Sequence, residues 1–92
     1  MLTITCTGPQ AARIQAVCEA AGVECRKTVL RYGYTHSRTV ARVELDAGFA
    51  DAVARSLRTV AAHVQSSGQA GAGAWVKTAE VLERAKEGRV AV

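Results

Sequence analysis

Eight consecutive residues, Arg31-Tyr32-Gly33-Tyr34-Thr35-His36-Ser37-Arg38, gather both tyrosines of the chain and one of its two histidines between a pair of arginines. From Cys25 to Val43 there are five cations, Arg26, Lys27, Arg31, Arg38 and Arg42, and no carboxylate. Guanidinium groups hold phosphates and planar rings stack on unpaired bases, so the segment carries the chemistry of a nucleic-acid finger. Tyr and Arg are also the side chains most enriched in binding hot spots, which makes the same segment a protein-contact anchor. A third account needs no ligand: tyrosine suits a hairpin, and arginine keeps it hydrated.

Other constellations are weaker. Cys6, Cys18, Cys25, His36 and His63 are metal-ligand types, but eleven and six residues separate the cysteines, which matches no ribbon or finger spacing. Cys6 and Cys18 fall on apolar stripes, where a thiol acts as a small hydrophobe and its pKa rises, so a cysteine nucleophile is not expected either. Gly71-Ala72-Gly73 lacks the lysine and hydroxyl residue of a phosphate loop and follows a helical pattern instead of a strand. No catalytic residue, metal, cofactor or small-molecule ligand is expected. The lone Trp75, with Leu82 seven residues on, reads as a core anchor or as the interface hot spot of a terminal helix.

The chain that must position these groups has 92 residues, enough for one small domain and too few for two cores. With 49% hydrophobic and 22% charged residues it lies within globular usage. Twelve Lys and Arg against eight Asp and Glu leave a net charge of +4, a bias toward anionic partners. No run approaches the roughly 20 apolar residues of a membrane span, and MLTITCT has neither a basic leader nor a long apolar stretch. The expectation is a cytoplasmic protein with reduced thiols. Nine arginines among twelve cations, with abundant Ala, Val and Gly, look like GC-rich coding, as in an actinobacterium or one of its phages.

Leu2-Thr3-Ile4-Thr5-Cys6-Thr7 alternates apolar and hydroxyl residues, the period of a strand with one buried face. Gly8-Pro9 opens a helix whose stripe is Ile14, Val17, Cys18 and Ala21, with Gly22 at the C-terminal cap. Val23 to Asp46, interrupted at Gly33, reads as a hairpin. Its second arm buries Thr39, Ala41, Val43 and Leu45. In its first arm Lys27 shares the parity of Val23, Cys25 and Val29, which calls for a bulge or an edge position. Asp46 is a suitable N-cap for a second helix with Phe49, Val53, Leu57, Val60 and Val64 as its buried stripe. Residues 65–74, rich in Gly and Ser, read as a flexible connector to a third helix over about 74–87, which Gly88 stops; residues 89–92 are a candidate closing strand.

The order β-α-β-β-α-α(-β) resembles a small ferredoxin-like, split β-α-β sandwich: an α+β fold whose antiparallel sheet carries helices on one face. An RNA-recognition motif stacks bases on rings carried by its central strands, whereas the open-face candidates here, Thr3, Thr5, Val40 and Arg42, carry none. An amino-acid-sensing version of the fold would need a ligand loop that the sequence lacks. The expected function is therefore a non-enzymatic protein-interaction module, a phage or actinobacterial regulator that occupies a host or cellular protein surface, with self-association through the open face or last helix as one form of it. The alternative is a nucleic-acid-binding module using Arg31, Tyr32, Tyr34, His36, Arg38 and Arg42.

Overall fold

The alternating segment becomes strand β1, Leu2–Thr7, with Leu2, Ile4 and Cys6 buried and Thr3 and Thr5 exposed. Thr7 then caps helix α1, Gly8–Ala21. Its hydroxyl accepts from the Gln10 N–H at 3.4 Å, and the Gln10 side chain accepts from the Thr7 N–H at 3.1 Å, so two helix-start amides are satisfied reciprocally. At the other end Gly22 sits in the left-handed region at φ 71°, where a Cβ would be strained, and closes the helix on the carbonyls of Cys18 and Glu19. The buried stripe is Ala11, Ile14, Val17 and Cys18; Ala21, expected on it, is exposed. In this computed structural model residues 1–91 are described, with side chains as far as Lys86.

Strands β2, Cys25–Arg31, and β3, Val40–Leu45, complete a three-stranded antiparallel sheet of order β1-β3-β2. The central strand buries Ala41, Val43 and Leu45 and turns Val40, Arg42 and Glu44 to the other face. The parity conflict in β2 is resolved in both of the expected ways: the strand is an edge, Lys27 is exposed, and the register shifts between Val29 and Arg31.

After β3, Asp46 accepts from the Gly48 N–H at 2.8 Å and caps a 3-10 turn, Ala47–Phe49, which feeds helix α2, Ala50–Ser66. The turn advances at three residues per revolution, so Phe49 falls off the stripe, while Val53 and Leu57 keep their expected buried places and Val60 and Val64 are partly buried. Phe49 is 48% exposed, and the buried stripe is Ala50, Val53, Ala54, Leu57 and Ala61. Helix α2 runs on through Ser66, and helix α3 begins at Ala72, so the connection between them spans residues 67–71. The Ser66 and Ser67 hydroxyls donate back to the carbonyls of His63 and Val64.

Helix α3, Ala72–Ala91, passes through Gly88, and residues 89–91 are helical where a closing strand was expected; Val92 lies outside the described residues. A single glycine costs a helix only about 1 kcal/mol, too little by itself to end one. The helix lies antiparallel to α2. Arg58 on α2 forms a bidentate pair with Glu83 at 2.9 and 2.7 Å, and Lys86 pairs with Asp51 one end further along.

All three helices pack on the face of the sheet that carries Leu2, Ile4, Val43 and Leu45. Ile14, Leu57 and Leu82 are fully enclosed there. Each such side chain contributes about 1.5–3 kcal/mol by leaving water. The described residues thus form an α+β fold of three strands and three helices. Among the described residues no fourth strand completes a ferredoxin-like sheet, because the chain after α2 turns into α3.

Candidate interaction loop and open sheet face

Beyond its bulge strand β2 still pairs Arg31 with Val40, and residues 32–39 return to β3 through a loop that includes a 3-10 turn over His36–Arg38. Thr39 is the hub of this loop and is buried. Its hydroxyl accepts from the Gly33 N–H at 3.2 Å and donates to the Thr35 carbonyl at 3.4 Å. The N–H groups of Arg38 and Thr39 donate to the carbonyls of Thr35 and His36, and the Thr35 and Ser37 hydroxyls bond to each other at 2.9 Å.

The two arms approach so closely that a Cβ on Gly33 would lie 2.5 Å from the Arg38 carbonyl carbon and oxygen. Only glycine fits there. On the other side the loop is fastened to the start of α1: the Gly8 N–H donates to the Thr39 carbonyl at 2.8 Å, and the His36 ring and carbonyl fill the space beside Gly8.

This internal tying contrasts with what the loop displays. Tyr32 is 82% exposed and Tyr34 is wholly exposed. Arg31, His36 and Arg38 are exposed as well. Among the described residues Arg26, Lys27, Arg31 and Arg38 form no ion pair, so their charge is directed to solvent.

Beneath the loop lies the uncovered sheet face, built by register into rows. Thr5, Arg42 and Thr28 form one row, and Thr3, Glu44 and Arg26 the next. Arg42 lies along this face with its Nε covered and without a hydrogen bond, 3.7 Å from the Glu44 carboxylate, an ion-pair separation. Leu30 at the bulge is 48% exposed, and Val40, paired with Arg31, is partly exposed. The structure therefore brings Arg31, Tyr32, Tyr34, His36 and Arg38 onto one loop, with Arg42 on the adjoining face.

Trp75 and Leu82 are not part of this surface. Leu82 has no exposed area and sits in the core, while Trp75 packs against the core with the Arg13 guanidinium 5.8 Å from its ring centroid. A partner contact through Leu82 would require α3 to leave its seat.

The sequence reading missed a cavity of about 310 Å³ at the opposite end of the sheet, lined by Met1, Glu24, Cys25, Arg26, Glu44, Asp46 and Phe49. Carboxylates, one guanidinium and a half-exposed ring meet there because Arg26 is in register with Glu44. That is a long-range fact with no local spacing to announce it.

The three thiols are free. Burial pushes Cys18 up to about 12, and the neighbouring Cys25 adds to the shift; burial also raises Cys6 and Cys25. Each is held as a neutral thiol, which is the inert form. Among the described residues no three His, Cys, Asp or Glu side chains are placed to hold a metal ion, and no helix is long and apolar enough to cross a membrane. No protein-family model matches this sequence, no curated protein matches it, and no solved structure matches its fold.

Proposed function

We propose that this chain is a non-enzymatic protein-interaction module whose working surface is the loop 31–38 with the adjoining open sheet face. The observation that carries the proposal is the exposure of Tyr32 and Tyr34 on a loop held by Thr39, Gly33 and the start of α1. Ordering a binding loop on association costs free energy, and a loop tied in advance has already met that cost. Tyrosine contributes a large contact area with few rotatable bonds. Exposed ring surface at Tyr32 and Tyr34 and exposed aliphatic surface at Leu30 accompany the arginines of the loop, residue types enriched at protein interfaces. The unpaired cations favour a partner with an acidic rim. Reading the scaffold as a split β-α-β sandwich without its fourth strand is supported by β3 lying between β1 and β2.

The alternative, single-stranded nucleic acid, is favoured by one observation: five cations with no carboxylate between Cys25 and Val43, beside rings free to stack. The deciding experiment combines affinity capture from the native cytoplasm with titration of labelled single- and double-stranded DNA and RNA across a salt series. The expected result is a protein partner retained by the native chain and lost by the Tyr32→Ala/Tyr34→Ala double variant, with no nucleic-acid binding at low salt. Salt-sensitive nucleic-acid binding that disappears in Arg31→Glu/Arg38→Glu would put the alternative in its place.

A further inference from the structure

Among the described residues strand β1 has one neighbour, β3. Its pairing with β3 continues into the Gly8 N–H bond to the Thr39 carbonyl, which fixes the phase of the ladder: the backbone groups of Leu2, Ile4 and Cys6 point toward β3, and those of Thr3, Thr5 and Thr7 point away. The Thr7 N–H is taken by the Gln10 side chain. Thr3 and Thr5, both exposed, are left presenting N–H and C=O groups along an open edge.

The two edges of the sheet are built differently. β2 carries Arg26, Lys27 and Arg31, the exposed Lys27 sits on core-face parity, and a bulge follows Val29. Charge on the edge, a charge pointing inward and a bulge are the devices that discourage strand addition. β1 has none of them. It carries no charge and no proline, and its register is unbroken from Leu2 to Thr7.

We propose that the β1 edge is completed by β1 of a second copy of this chain, antiparallel across a two-fold axis, giving one continuous six-stranded sheet. The strand suits itself. With Ile4 opposite its symmetry mate, Thr3 of each copy faces Thr5 of the other, and these outward-pointing residues exchange backbone hydrogen bonds in both directions. Thr3 and Thr5 then pair on the open face, a favourable cross-strand combination, and Leu2 meets Cys6 on the core face. No like charges oppose one another, whereas β2 paired with itself would bring Arg26, Lys27 and Arg31 together. The ladder stops at Thr7, where the capping box of α1 has used the N–H. The dimer uses the backbone groups of Thr3 and Thr5 and the partner contact uses the side chains of the loop 31–38, so Thr5→Pro and Tyr32→Ala/Tyr34→Ala test them separately.

The test is solution mass by light scattering over a concentration series, with backbone amide exchange followed on the same samples. The expected result is a rise from one to two chain masses with concentration, accompanied by slowing of the Thr3 and Thr5 amides. Thr5→Pro, which removes an N–H that β3 does not use, is expected to hold the chain at one mass. A chain monomeric throughout overturns the proposal, as does a dimer in which the Thr3 and Thr5 amides still exchange rapidly. The exchange measurement on the native chain decides the matter even if the proline variant fails to fold.

Discussion

The Gly33 N–H donates to the Thr39 hydroxyl at 3.2 Å across the neck of the tyrosine loop, and this single bond joins the two ends of a segment whose rings project into solvent. Thr39→Val keeps the side-chain shape and leaves the Gly33 donor without its partner. The expected loss is about 1–2 kcal/mol in a denaturant titration. Gly33→Ala forces a Cβ against the Arg38 backbone, with an expected loss of about 1–3 kcal/mol. Both variants should weaken partner binding by more than their loss of stability accounts for, because each loosens the seat of Tyr32 and Tyr34.

Fold and binding separate at the rings themselves. Tyr32 and Tyr34 make almost no intramolecular contact, so Tyr32→Ala/Tyr34→Ala should leave the unfolding free energy within about 0.5 kcal/mol of the native value. Partner retention should fall severely in the same protein. A large loss of stability would show that the rings serve the fold.

Leu82 and Phe49 give the reverse contrast. Leu82 is fully enclosed, and Leu82→Ala is expected to cost about 2–5 kcal/mol and to loosen α3 as a whole. Phe49 is half in water, so Phe49→Ala should cost clearly less in the same thermal melt. Equal costs would contradict the placement of the 3-10 turn.

Acid should weaken the α2–α3 hairpin. The hydrogen bond from Arg58 holds the Glu83 carboxyl below its ordinary value, and the hydrogen bond from Lys86 does the same for Asp51. A carboxyl depressed in the folded state stabilises it fully above the unfolded value, near pH 4, and that contribution is lost as pH falls through the native value. The melting temperature should therefore fall from pH 6 toward pH 3. Glu83→Gln should flatten part of that slope, and 1 M salt should reduce it further because these groups are solvent-facing.

Much of the scaffold could be read locally. Period-two alternation located β1 and β3, and Gly8-Pro9 and Gly22 bracketed α1. Lys27 on the wrong parity announced an edge strand with a bulge. The Thr7-to-Gln10 spacing of the capping box was equally available and went unread. What could not be read was partly the detail of local turns and caps and partly partners distant in sequence. Phe49 leaves the α2 stripe because Asp46 caps a 3-10 turn there, and α3 runs on through Gly88. Serines that suggested a loose linker instead finish a helix by bonding its last carbonyls. The site divides the same way: Arg31, Tyr32, Tyr34, His36 and Arg38 were visible as a cluster, but the closure of their loop on Thr39 and Gly8 was not.

The strand order also governs how the chain assembles during synthesis. Leu2 pairs with Leu45 and Cys6 with Ala41, so β1 must wait for β3 before it has its ladder partner. β2 and β3 can close as a hairpin as soon as both have left the ribosome, whereas β1 joins through contacts of long sequence separation, the slow kind. Throughout that interval Leu2, Ile4 and Cys6 offer an apolar strand to any neighbouring nascent chain. Leu45 completes the ladder that β1 needs, and the core face of β1 is covered only once Leu57 and Leu82 follow.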